Sequence, residues 1–239
     1  YLPYTYQANT LPPEIGPCNY ENEHYLCRNR FLNQYIGIEE TRESKRNKNS
    51  MSPDTAVEYL EWTRPEHTLL CAFNANKKLE PVSFAAWMNI MVENPASVLL
   101  LLASGNARTS RKNLINVAAL YGIHKSRLQF LGKVEWEDHL YRLAACDIFL
   151  DNFAYGAHTT LSDALYMWVP TLTLRAWGAH NMPSRVGNSL LSSLGEDIST
   201  ILLHDNIKYF EDFLRQRQIY KSFRFESKFN NSNLSIFEN

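Results

Sequence analysis

From residue 67 onward the chain alternates between two hydrophobic rhythms. Short continuous apolar runs are followed by longer stretches whose apolar positions recur three and four apart. Residues 68–73 (TLLCAF) form the first run, bounded by polar residues, and read as a buried strand. Pro81 then opens a helix, a position that suits its fixed φ and missing N–H, with Phe84, Trp87, Met88 and Met91 on one stripe. The next strand is 97–102 (SVLLLL), followed by a helix from Thr109 that places Leu114, Val117, Ala118 and Tyr121 on one face. The same reading gives a strand at 127–131, a helix at 135–145 and a strand at 147–150. It continues with a helix at 159–167, a fifth strand at 170–174, a helix at 183–194 stopping at Gly195, and a last helix at 206–216. Five apolar strands separated by helices predict right-handed crossovers and a parallel sheet covered on both faces, an α/β domain of Rossmann-like type.

The first 66 residues lack this rhythm. They are rich in Tyr, Asn, Pro and charge, and 39–50 (EETRESKRNKNS) contains no apolar residue, so 1–66 is expected to be an N-terminal segment and charged linker with a helix over 53–62. The α/β domain occupies 67–205, and 206–239 is a C-terminal helix with a polar tail. At 239 residues, 45% apolar and 21% charged, disordered, collagenous and coiled-coil classes are excluded. Twenty-four basic and 25 acidic side chains leave a net charge of −1, which gives no global attraction to nucleic acid or an anionic membrane. No apolar run approaches the ~20 residues of a spanning helix. The four cysteines show no metal or redox spacing; Cys71 and Cys146 lie in strand-like runs and are expected to be buried free thiols, which fits the cytoplasm. A chain that begins at Tyr1 without a basic-then-apolar leader reads as a domain of a longer polypeptide.

In an open α/β sheet, ligands bind beyond the carboxyl ends of the strands. Three loops lie there: 74–78 (NANKK), 151–158 (DNFAYGAH), and the segment after Leu174 that carries Arg175, His180, Ser184 and Arg185. The second is the most informative. Gly156 permits close backbone approach, and His158, Thr159 and Thr160 bring hydroxyls and unpaired N–H groups to a helix start, an arrangement suited to phosphate. The alternative is that Thr159 or Thr160 only caps the helix. No glycine-rich dinucleotide or P-loop fingerprint is present, so a phosphate would be held by hydroxyls, a helix end and Lys78. Of the remaining histidines, His24, His67, His124 and His204 have no context pointing to function.

The stretch LDNFAYGAHTTLSDALYMWVPTLTL at 150–174 resembles the protein O-linked N-acetylglucosamine transferase family, including its bacterial and SPINDLY-like members. Supporting matches are Phe73-Asn74 with Lys78 and Pro81, Ser97 to Leu100, His139-Leu140, and Ser184-Arg185-Val186, in order from about residue 65 to 195, with a weaker match at Tyr1-Leu2-Pro3-Tyr4-Thr5-Tyr6. The resemblance implies the donor-binding half of a GT-B glycosyltransferase, with an upstream Rossmann domain and tetratricopeptide repeats in the full-length chain. It implies transfer of N-acetylglucosamine from UDP-GlcNAc to Ser or Thr of acceptor proteins, inverting, with no metal or other cofactor, no nucleic acid and no membrane, in the cytoplasm and nucleus. Residue by residue, Lys78 matches the lysine at the diphosphate, and His158, Thr159 and Thr160 the motif that holds the same phosphates; Lys78 and His158 are the catalytic candidates. Asp163 matches the carboxylate near the ribose, His139 the histidine beside the uracil, and Arg185 is a further candidate contact. The sequence departs from the family at Ala75, where glutamine is common, at Trp136, where animal members have lysine, and at Trp168, where glycine is usual. These departures keep two alternatives open: a degenerate or truncated nucleotide-binding module, and a relative using GDP-fucose or UDP-glucose. The isolated segment is expected to be inactive on its own.

Overall fold

A computed structural model describes residues 67–103, 107–174, 181–195, 203–204 and 207–212. The prefix, its expected helix at 53–62, Arg175, His180 and the tail lie outside these residues. The described strands are β1 (Thr68–Ala72), β2 (Ser97–Leu102), β3 (Leu128–Leu131), β4 (Ile148–Leu150), β5 (Thr171–Leu174) and β6 (Leu203–His204). All pairings are parallel, in the order β3-β2-β1-β4-β5-β6. The helices are α1 (Pro81–Glu93), α2 (Ala107–Leu120), α3 (Trp136–Ala144), α4 (Thr159–Tyr166), α5 (Met182–Ser192) and α6 (Ile207–Asp212). The expected parallel α/β sheet is present, with a sixth short strand at 203–204 that a two-residue run gives no periodicity to reveal. No helix among the described residues is long and apolar enough to cross a membrane.

The apolar runs are continuous because each strand is buried on both sides. Leu69, Cys71, Phe73, Val98, Leu100 and Phe149 face one layer, against Leu140 and Leu143 of α3, Leu161 of α4, and Val186 and Leu190 of α5. Their alternates Leu70, Ala72, Leu99, Leu101, Ile148, Leu150 and Leu172 face the other, against Phe84, Trp87, Met88 and Met91 of α1, Ala118 of α2, and Phe210 of α6. The period-two pleat therefore divides one apolar run between two cores.

Side chains that serve as caps set the element ends. Arg127, expected to begin a strand, lies in a 3-10 turn (Lys125–Arg127) before β3. Its guanidinium donates to the carbonyls of Met91 (2.8 Å), Asn94 (2.8 Å) and Ser97 (2.9 Å), satisfying oxygens left over at the end of α1 and the start of β2. Helix α5 begins one residue earlier than expected, because the Asn181 side chain accepts from Ser184 N and leaves Met182 and Pro183 inside the first turn. Helix α4 ends in a Schellman pair: Trp168 N bonds Leu165 O at 3.0 Å and Val169 N bonds Ala164 O at 2.9 Å. That motif puts Trp168 at φ 58, the left-handed region where glycine is easiest. The tryptophan thus stands in a backbone conformation that glycine adopts most easily.

The expectation of free thiols at Cys71 and Cys146 is corrected. The two form a disulfide, with Cα atoms 6.0 Å apart across a sequence separation of 75. The cause is topological: the chain order hides that β1 and β4 are neighbours, with Cys71 paired to Phe149, three residues beyond Cys146.

Arg127→Met keeps the aliphatic stem and removes the three carbonyl partners. It should lower stability by about 2 kcal/mol, read as a shift of the urea midpoint at unchanged slope.

Candidate functional site

The sheet order reverses at β1. The chain passes from β1 outward to β2 and β3, then returns to β4 on the other side of β1 and continues to β5 and β6. The crevice between the carboxyl ends of β1 and β4 is the switch point at which such sheets hold ligands. The loops after these two strands meet there, joined by Asn74 Nδ2 donating to Asn152 Oδ1 at 2.6 Å. Asn152 Nδ2 also reaches Lys78 O at 3.4 Å, and Phe153 N donates to Ser83 Oγ of α1 at 2.8 Å. Ser83 is itself bound to Glu80, which caps α1 ahead of Pro81.

Asp151 organises the second loop. It is fully buried, and its Oδ1 accepts from Asn152 N (2.8 Å) and Ala157 N (2.6 Å) while Oδ2 accepts from Thr173 Oγ1 of β5 (2.8 Å). Burial pushes its carboxyl up to about 6, against the pull of those hydrogen bonds and of Lys78. Two glycines make room for it. A Cβ on Gly187 of α5 would stand 2.5 Å from Oδ2, and one on Gly156 would stand 3.1 Å from Oδ2 and 3.2 Å from Pro183 O. Gly156 N bonds that same Pro183 carbonyl at 3.1 Å.

The loop so folded carries the charged end of the site. Lys78 ends a short 3-10 turn (Asn76–Lys78), donates from Nζ to Gly156 O at 3.1 Å, and lies 4.4 Å from the Tyr155 ring centroid. Burial lowers its pKa, Asp151 raises it, and Lys77 lowers it further. Tyr155 stacks on His158, centroids 5.4 Å apart and planes at 16°. His158 Nε2 is 3.4 Å from Pro183 O; burial lowers the pKa of the ring against the pull of that carbonyl, with a smaller push in the same direction from the charge of Lys78. His158 is the N-cap residue of α4, without a side-chain cap bond, so neither threonine is the cap. Thr159 and Thr160 occupy the first two helical positions, where backbone N–H groups have no partner within the helix, whereas Leu161 N and Ser162 N both bond His158 O.

A second group flanks the first along α3 and α4. Asp163 is buried, one turn into α4, with the Trp136 indole N–H donating to its carboxylate and Oδ1 left without a hydrogen-bond partner. Burial pushes this carboxyl up to about 6. His139 meets the Phe73 ring edge-on at 5.6 Å, and burial together with the charge of Arg142 lowers its pKa to about 4. It is a neutral imidazole at pH 7. Arg142 is buried below it, donating to Gly132 O at 3.0 Å with its guanidinium 5.7 Å from the Phe73 centroid.

The structure thus joins Lys78, through Gly156, to the loop that leads into His158, Thr159 and Thr160, and places Asp163 one turn further along α4 and His139 on α3 against Phe73. Arg185 stands exposed on α5, two residues beyond Pro183, and makes no ion pair among the described residues. Asp151, Tyr155 and Gly187 were missed as site residues. Gly156 and Gly187 were visible as glycines, but only the fold shows that one carboxylate requires both. Among the described residues no group of three or more His, Cys, Asp or Glu side chains could hold a metal ion.

The chain is similar to known proteins. Residues 44–216 match the model for glycosyl transferase family 41. The chain is 28% identical over 166 residues to the probable UDP-N-acetylglucosamine–peptide N-acetylglucosaminyltransferase SEC of Arabidopsis thaliana, covering 69% of this chain and 16% of that protein. It is 32% identical over 127 residues to the probable enzyme of the same description, SPINDLY, from Eustoma exaltatum subsp. russellianum, covering 52% of this chain and 13% of that one. Among solved structures it superposes on a mutant O-GlcNAc transferase of Thermobaculum terrenum with a TM-score of 0.59 at 25% identity, over 67% of this chain and 31% of that one. The chain therefore spans less than a fifth of the length of these curated relatives.

The Asp163 carboxyl, raised from 3.8 to about 6, makes the folded state bind a proton that the unfolded state has lost between those values. Its contribution stabilises the fold below the unfolded pKa and is lost as pH rises through about 6. Asp163→Asn removes this dependence. Urea unfolding at pH 5 and pH 7.5 should show the variant gaining stability relative to the parent at the higher pH; parallel pH dependences would contradict the assigned environment.

Proposed function

This chain belongs to glycosyl transferase family 41, and from that membership we propose that it is the nucleotide-sugar half of an enzyme that transfers N-acetylglucosamine from UDP-GlcNAc to Ser or Thr hydroxyls of proteins. The observation that carries the reading is the convergence of the Lys78 ammonium and the start of α4 on the Gly156 loop at the switch point. A diphosphate is the ligand that matches a cation beside unpaired N–H groups and two threonine hydroxyls. The names of the plant relatives, each a probable UDP-N-acetylglucosamine–peptide N-acetylglucosaminyltransferase, support the sugar and the acceptor class.

In this reading the bond between the anomeric carbon and the β-phosphate oxygen breaks, and its electron pair leaves with UDP. Lys78 and the N–H groups of Thr159 and Thr160 stabilise the charge that develops there. No metal is assigned a role, because the charge is met by a lysine and a helix end. The acceptor oxygen attacks the face opposite the leaving group, so the configuration inverts. His158 is assigned a phosphate-side position with its Nε2 facing Pro183 O, and the proton of the acceptor hydroxyl is assigned to a base outside this half of the enzyme. Asp163 is assigned to the ribose hydroxyls and His139 to the uracil, a neutral ring against a neutral base. Arg185, on the exposed side of α5, is assigned to the outer edge of the sugar-phosphate. The upstream Rossmann domain and helical repeats supply the acceptor groove; orienting two reactants in this way is worth roughly 7 to 11 kcal/mol, which this half does not provide alone.

Calorimetric titration of the full-length protein with UDP tests the assignment. Parent protein should bind UDP, and Lys78→Ala should weaken binding at least about thirtyfold. GDP should bind far more weakly than UDP. Equal affinity of parent and variant, or no UDP binding by the parent, would reject the donor site and favour a degenerate module; preference for GDP would reassign the sugar donor.

A further inference from the structure

A second candidate binding surface lies away from the crevice, between α2 and the outer strand β3. Arg108, Arg111, Lys112, Ile115 and Asn116 stand at i, i+3, i+4, i+7 and i+8 and so share one face of α2. With Ala103 and Phe130 they line a cavity of about 470 Å³, within the range of ligand pockets. This is not the stripe of α2 that packs on the sheet, which holds Leu114 and Ala118. Its floor is apolar, from Phe130 and Ile115, and its rim is cationic. Arg111 lies over the Phe130 ring, 5.4 Å from the centroid. Helix α2 (ARTSRKNLINVAAL) contains no acidic residue, and among the described residues no carboxylate pairs with Arg108, Arg111 or Lys112. Three cations are thus gathered around an apolar hollow in a chain whose net charge is only −1.

We propose that this groove docks an acidic polypeptide segment, with one apolar side chain entering over Phe130 and flanking carboxylates meeting Arg108, Arg111 and Lys112. The chemistry selects the occupant. A cationic rim matches carboxylates, and the apolar floor requires a side chain that a free anion lacks. Strand β3 pairs only with β2 among the described residues, which leaves beside the groove an outer backbone edge of the kind extended peptides pair with. Three cations within five residues of one helix are too short a track for nucleic acid, whose affinity grows with the number of phosphates neutralised. None of the lining residues belongs to the loops at the β1/β4 crevice, so the proposal stands independently of the sugar-nucleotide assignment.

The test uses the full chain and fluorescence anisotropy of a fluorescein-labelled octapeptide, glutamates around a single phenylalanine. Its counterpart with glutamine at every glutamate and an eight-nucleotide oligouridylate serve as comparisons. The acidic peptide should bind, with the neutral peptide and the oligonucleotide each at least about tenfold weaker, and with affinity falling as salt is raised. The double variant Arg111→Glu/Lys112→Glu alters two exposed helix positions and should keep the parent melting temperature while weakening the acidic peptide about tenfold or more. UDP titration of the same variant should be unchanged. Equal binding of acidic and neutral peptides, tighter binding of the oligonucleotide, or an acidic peptide indifferent to the double variant would each overturn the proposal. So would an altered UDP affinity in the variant, because the two sites would then not be separate.

Discussion

The carboxylate of Asp151, cut off from solvent at the end of β4, takes hydrogen bonds from the start of its own loop, from the loop's far end at Ala157, and from Thr173 on the next strand. An ionised group in that position is expensive to bury, and the three donors with the nearby Lys78 offset the cost. The consequence is geometric. A loop pinned at both ends around one carboxylate presents Gly156 O to the Lys78 ammonium and starts α4 beside it. The glycines at 156 and 187 follow from the same constraint, since a Cβ at either place would intrude on the carboxylate or on the Pro183 carbonyl.

The sheet supplies the frame for this arrangement. Strands buried on both faces are rigid, and their order puts the first and fourth strands side by side with their carboxyl ends open between two diverging crossovers. The polar side chains at the crevice then join the two loops to each other, Asn74 to Asn152, and the second loop to α1, Phe153 to Ser83. Charge is sorted across the crevice. Lys78 reaches the loop ahead of the helix start, buried Asp163 stands one turn further along α4, and neutral His139 lies on α3 against Phe73.

The strands and helices were legible in the sequence because apolar runs buried on two faces and helical stripes buried on one leave different periods. Element ends were less legible, since they are decided by distant partners: Arg127 leaves its strand to bind carbonyls at the end of α1 and the start of β2, and no local pattern announces this. The loop that Lys78 reaches was readable because Gly156, His158, Thr159 and Thr160 lie close together in the chain and Lys78 sits in the loop after the first strand. Asp151 was not, because an aspartate after a strand is ordinary until β5 and α5 are seen to close on it. The Trp136–Asp163 contact and the Cys71–Cys146 disulfide were hidden for the same reason: both join residues on elements whose adjacency only the topology reveals. Trp168 was readable as a departure from a resembling family, but not as a residue held in the left-handed conformation by a helix terminator.

The most direct test of this account is a crystal structure of the protein with UDP. The account predicts the diphosphate within hydrogen-bonding distance of Lys78 Nζ and of the backbone N–H groups of Thr159 and Thr160, with the ribose turned toward Asp163. A diphosphate seated elsewhere, with the Lys78 ammonium still on the Gly156 carbonyl and no phosphate at the start of α4, would contradict it.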